Sequence, residues 1–200
     1  PWGILLLMLC LLLSGCGEQM EVIDEGQEDM APWQTAEGED AVEEEPQEVA
    51  ITSFALAYHD GQTLDPITCG DGAQLQLTAL LYEPLFQLDE SFQPQPVLCS
   101  GYTVSEDGLV YTLTIRQGVL FSDGSVLDAS DAAASLRRAM TSQRYGNRLG
   151  DIRQVTTRGS SEVVITLSRA NSRLTALLDI PVVKDGTETD AAPIGTGPYL

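Results

Sequence analysis

The residues of this 200-residue chain whose types could carry chemistry are few: one histidine, four cysteines and several closely spaced carboxylates. A Ser-His-Asp or Cys-His arrangement would have to be built on His59, which sits in the turn His59-Asp60-Gly61 with no nucleophile motif beside it. A solvent-exposed turn residue is the simpler reading. A single histidine also leaves no multi-histidine metal site in this sequence. Gly195-Thr196-Gly197 lacks the lysine and following hydroxyl of a phosphate-binding loop and reads as a tight backbone turn before Pro198. The carboxylate pairs Asp89-Glu90, Glu106-Asp107 and Asp128/Asp131 each sit where a turn or a helix start explains them. No catalytic residue, metal ligand or cofactor is therefore expected, and the chain is read as a non-enzyme.

The elements that would position any site centre on Tyr102 to Met140. Ser105-Glu106-Asp107-Gly108 is a turn cluster, and after it Leu109, Tyr111, Leu113 and Ile115 alternate with Val110, Thr112, Thr114 and Arg116. This predicts a β-hairpin. Ser122-Asp123-Gly124-Ser125 is a second turn. Asp128 then serves as N-cap of a helix with Asp131 in its first turn and Ala132, Leu136 and Met140 at helical spacing. Upstream, 51–58 alternates as a first strand, 74–83 reads as a helix with Leu77, Leu80 and Leu81 on one side, 85–88 is a short strand and Pro94-Gln95-Pro96 an extended connector. Downstream, 152–157 and 162–168 are strands, the second with burial on both faces, Asn171 caps a short helix through Leu178, and 180–183 is a strand.

Charge divides the chain. The formal net charge is −20, and residues 17–50 hold thirteen Asp and Glu without a Lys or Arg, leaving 51–200 at about −7. So acidic a stretch argues against nucleic-acid or anionic-membrane binding by simple electrostatics. Ile4 to Leu13 has the length of a signal-peptide apolar region and is short for a bilayer span. Leu13-Ser14-Gly15-Cys16 follows and resembles a bacterial lipobox, in which small residues admit the peptidase and the cysteine thiol takes a diacylglycerol. The alternative is a core helix that happens to end in SGC. The first reading makes 1–15 a lipoprotein signal peptide whose charged start lies upstream of Pro1. Cys16 becomes the lipid attachment site, and 16–49 a disordered acidic tether with too little apolar surface to offset ordering entropy. No EF-hand spacing supports a cation-binding tail there. A long tether suits a Gram-positive surface.

The motif DG-x-x-YT-x-T-x-R-x-G-V-x-F-S-DG from Asp107, followed by L-x-A-x-D-A-x-x-S-L from Leu127, resembles the extracellular solute-binding proteins of ABC importers, family 5, the peptide/nickel type. Leu64-Asp65-Pro66, Leu81 to Leu85, Val163 to Leu178 and Pro193 to Tyr199 fit the same family in order, so the resemblance spans 51–200. It implies a mixed α/β, periplasmic-binding-protein-like type II fold of two lobes. On that frame 50–86 starts the first lobe, 87–184 is an inserted α/β subdomain, 185–200 returns to the first lobe, and the second lobe lies beyond Leu200. It further implies capture of oligopeptides for permease and ATPase subunits, the candidate ligand loop being Ile67, Thr68, Cys69, Gly70 and Asp71. Nickel, haem or signalling peptides on the same fold, or an exported hydrolase, are the alternatives. Exported domains meet oxidising conditions, so Cys69 and Cys99, about 30 residues apart, are a candidate disulfide worth ~3–4 kcal/mol; two buried thiols are the alternative.

Overall fold

A computed structural model describes residues 55–199. The expectations for the signal peptide, Cys16 and the tether lie outside these residues. Helix α1 spans Gly72–Leu81 and α2 spans Ala129–Thr141; the strands are β1 Phe86–Leu88, β2 Pro94–Pro96, β3 Cys99–Val104, β4 Val110–Ile115, β5 Ile152–Arg158 and β6 Glu162–Leu167, with 3-10 turns at Gly146–Leu149 and Leu174–Leu177. Among the described residues no helix is long and apolar enough to cross a membrane.

The main sheet has the order β3-β4-β6-β5, antiparallel throughout. The β3–β4 hairpin closes on the predicted turn. Ser105 N–H donates to Val110 O at 2.9 Å, and Gly108 turns the chain at φ 70°, a conformation that disfavours side chains. Tyr111, Leu113 and Ile115 point into the core from β4, as the alternation requires, and Val163, Ile165 and Leu167 do so from β6. β6 was expected to be buried on both faces, yet Val164 and Thr166 are half-buried. Among the described residues α2 is the helix packed on this sheet, against β5 and β6, so β6 alternates like any half-covered strand.

α2 starts on a reciprocal cap. Asp128 accepts from Ser130 N–H at 2.7 Å, and Asp131 accepts from the Asp128 N–H at 3.0 Å. The second Asp131 oxygen accepts from Asp185 N–H at 3.0 Å, which ties the helix start to the returning chain. Ala129, Ala132, Ala133, Leu136 and Ala139 are buried, a mostly small stripe that brings the helix backbone close to the sheet. One continuous apolar cluster joins this stripe to Ile67, Leu85, Phe86, Leu174, Leu178 and Ile180. Truncating a fully buried member such as Leu113 or Leu136 to alanine removes roughly 2–5 kcal/mol.

Several elements differ from expectation for identifiable reasons. Residues 55–58 are exposed and in no strand, since no ladder partner lies beside them among the described residues. Pro94–Pro96 is not a free connector but pairs β1 in the register Phe86↔Pro96, Gln87↔Gln95, Leu88↔Pro94. A two-stranded ribbon tolerates prolines because their missing N–H can face outward. The strand expected at 180–183 is reduced to one bridge, Pro84↔Pro181, because neither proline can donate to extend a ladder. The helix expected at 74–83 begins two residues earlier on the Asp71 cap and ends at Leu81; its leucines are half-buried, and Gln74 and Thr78 face inward instead.

Candidate ligand-binding site

Asp65 organises the loop that precedes α1. It is 2% exposed, and its carboxylate accepts from Ile67 N–H at 3.1 Å, from the Thr68 hydroxyl at 2.6 Å and from Arg138 Nη2 on α2. Its carbonyl accepts from Cys69 N–H at 2.9 Å. A buried carboxylate is stable only with such a full set of partners. Burial pushes the nearby Tyr82 phenol well above its usual range, and the Asp65 charge adds to that. Tyr82 instead donates to Pro193 O at 2.7 Å.

Loop 67–70 alternates inside and outside. Ile67 and Cys69 are buried; Thr68 and Gly70 are exposed. Among the described residues the Thr68 and Gly70 N–H groups and the Ile67 and Thr68 carbonyls make no backbone hydrogen bond. These free groups border a cleft of about 380 Å³ whose other wall is Ser142, Gln143 and Arg144, immediately after α2. One wall of the cleft is thus a loop whose main chain is only partly hydrogen-bonded, and the other carries a guanidinium.

The five residues predicted for ligand contact fare differently. Ile67, Thr68, Cys69 and Gly70 line the cleft. Asp71 does not, and both its oxygens are committed within the chain. Oδ1 caps α1 through Ala73 and Gln74 N–H, each at 3.0 Å, and Oδ2 lies 2.8 Å from His59 Nδ1. The Gln74 N–H first, and then His59, hold this carboxyl below its ordinary value. His59 is exposed as expected but is a partner of that cap, and its main chain is clamped by the Gln74 side chain.

Cys69 and Cys99 are separate buried thiols, where a bridge was one of two readings. Each has its own local acceptor. Cys69 Sγ lies 3.7 Å from Asp71 O beside α1, and Cys99 Sγ lies 3.1 Å from Gly101 O inside β3. Burial raises the Cys99 thiol, the Gly101 contact working against it. The wall formed by Ser142, Gln143 and Arg144 was missed from sequence; a polar run directly after an apolar-faced helix was its one local signal.

The GTG turn packs against the C-terminal end of α1. Gly197 N–H donates to Leu81 O at 2.9 Å, and a Cβ on Gly195 or Gly197 would lie 2.1 Å from Leu81 O or 2.3 Å from Leu80 O. Only glycine permits this approach to the end of α1. Gly195 O in turn accepts from Ser122 N–H at 2.9 Å, so the turn joins α1 to the Ser122–Ser125 loop.

A sequence model of bacterial extracellular solute-binding proteins, family 5 (Middle) matches residues 93–200. The glutathione-binding protein GsiB of Salmonella paratyphi A is 36% identical over 152 residues, covering 68% of this chain and 29% of the relative. That of Escherichia coli K12 is 32% identical over 149 residues, with the same 68% and 29%. The chain thus spans about 29% of the length of these curated relatives. Among solved structures, NikZ from Campylobacter jejuni in complex with Ni(L-His) matches at 27% identity and TM-score 0.59, over 72% of this chain and 31% of that one. The pheromone receptor PrgZ matches at 29% identity and TM-score 0.58, over 68% of this chain and 33% of that one.

Proposed function

On the premise that this chain belongs to the bacterial extracellular solute-binding proteins, family 5, we propose that it is part of the substrate-binding protein of an ABC importer that captures peptides outside the cytoplasmic membrane. Its fold is the mixed α/β fold of periplasmic-binding-protein type II proteins, of which the described residues form a part. The observation that carries the peptide reading is the 67–70 loop. It lines a cleft and carries main-chain N–H and C=O groups without a backbone partner, and such groups bind an extended main chain without reading its side chains. The relatives matched are named as binding proteins, which supports a role in capture without catalysis.

In this reading 50–86 and 185–200 belong to a first lobe, 87–184 forms an inserted subdomain, and a second lobe closes over the ligand. Permease and ATPase subunits receive the ligand, and ATP hydrolysis belongs to them. Cys16 carries the lipid anchor, and 16–49 is its tether. The length of that acidic stretch supports a Gram-positive surface, whereas the relatives come from Salmonella and Escherichia coli.

A nickel-chelate ligand is favoured by the likeness to NikZ. Among the described residues, however, no group of three or more His, Cys, Asp or Glu is placed to hold a metal ion. Native mass spectrometry of the full mature protein purified from its host decides between them. A co-purified peptide supports the proposal; a stoichiometric metal chelate with no peptide overturns it.

A further inference from the structure

Arg144 stands between two clefts. In the 380 Å³ cleft beside loop 67–70 it is the one lining residue with a formal charge. It also lines a neighbouring cleft of about 420 Å³ between α1 residues Leu75 and Thr78 and the Tyr145–Arg148 turn. Arg148 there is paired with Asp179, whereas Arg144 has no ion-pair partner among the described residues. Its guanidinium rests over the buried Tyr145 ring, Cζ 5.3 Å from the centroid, and Tyr145 N–H is held by the Ser142 hydroxyl at 3.1 Å. The same ring also carries Arg148, Cζ 4.8 Å from the centroid, and among the described residues the Arg144 side chain makes no hydrogen bond, which leaves its N–H groups for a planar two-oxygen acceptor. Arg116, Arg137, Arg153 and Arg173 also lack an ion-pair partner among the described residues, but none of them lines either cleft.

We infer that Arg144 is an anion subsite that takes the C-terminal carboxylate of a peptide whose main chain lies along residues 67–70. This rests on the peptide reading above and adds an orientation to it. The carboxylate end points toward Gln143 and Arg144, and the preceding peptide groups meet the Thr68 and Gly70 N–H and the Ile67 and Thr68 carbonyls. Ligands with an amidated end are discriminated against, because an amide offers the guanidinium one neutral oxygen and an NH2 donor in place of two anionic oxygens.

The full-length protein is to be stripped of ligand and dialysed against a tetrapeptide library with free C-termini, and separately against the same library amidated, with retained peptide quantified by mass spectrometry. Wild type is expected to retain the acids about tenfold or more over the amides. Arg144→Gln abolishes the preference, and Arg144→Lys, which keeps the charge but loses the fork, restores part of it. Arg116→Gln, an exposed arginine lining neither cleft, keeps the wild-type ratio. Equal retention of acids and amides by wild type, or a preference that survives in Arg144→Gln, overturns the subsite while leaving peptide capture standing. Retention of neither library overturns both.

Discussion

Arg138, on α2, is ion-paired with Asp65, 73 positions earlier in the chain. The pair joins the helix that covers the sheet to the loop that lines the cleft. Since Asp65 also fixes Ile67 and Thr68, the shape of the cleft wall depends on a contact with a different part of the fold. Arg138 Nη1 is buried without an acceptor among the described residues, so this guanidinium has no second carboxylate to turn to.

Asp65→Asn is therefore expected to lower stability by roughly 2–4 kcal/mol, less than for a wholly enclosed pair because Arg138 retains 24% exposure. Adding Arg138→Met should cost little more. Urea midpoints for the two single variants and the double variant, at constant slope, give the coupling. Coupling near zero would mean that the pair does not anchor the loop.

Gly195→Ala and Gly197→Ala each drive a methyl group into a helix carbonyl that cannot withdraw. A loss of about 2–3 kcal/mol is expected for each, read as a lower thermal midpoint. Gly101→Ala is the comparison, having open space and ordinary backbone, and should stay within about 1 kcal/mol of wild type.

Asp128→Ala removes the α2 cap and should cost about 1 kcal/mol at neutral pH. The Ser130 hydroxyl first, and the Ser130 and Asp131 N–H groups with it, hold the Asp128 carboxyl below its ordinary 3.8, partly offset by burial. The folded state thus binds this proton less readily than the unfolded chain. The contribution is complete above pH about 4–5 and falls away as the pH drops through the lowered folded value. Denaturation midpoints of wild type and variant should converge toward acid. A difference that grows on acidification would contradict the cap.

Alkylation of unfolded, unreduced protein should label both Cys69 and Cys99, identified by peptide mapping. Neither should react in the native state, where both are buried and the Cys99 thiol is raised. Absence of label on both in the unfolded, unreduced chain would restore the disulfide.

The hairpin, the α2 cap and the glycine turn were legible in the sequence because each is decided within a few residues. Asp128 and Asp131 announce their own partners, and Leu109 to Ile115 alternate by strand geometry alone. What escaped was decided at a distance. The α1 leucines read as a core stripe, yet Gln74 faces inward because its amide bonds the His59 and Gln62 carbonyls, at 3.4 and 3.5 Å, which local periodicity does not encode. Pro94–Pro96 became a strand because β1 happened to need an edge partner. At the site, loop 67–70 was found through a motif, while Arg144 was missed because no motif marks a residue whose place is set by the Tyr145 ring and by a cleft shared with a loop about 75 positions earlier.

The sheet order also bears on how the chain reaches this structure. β3–β4 and β5–β6 are each closed by a short turn, so both can zip locally on a microsecond scale. The remaining step is the search of one finished pair for the other, along Val110↔Thr166 to Thr114↔Glu162. Assembly speed of this sheet is then governed by that single encounter, and substitutions along it should slow refolding more than they hasten unfolding.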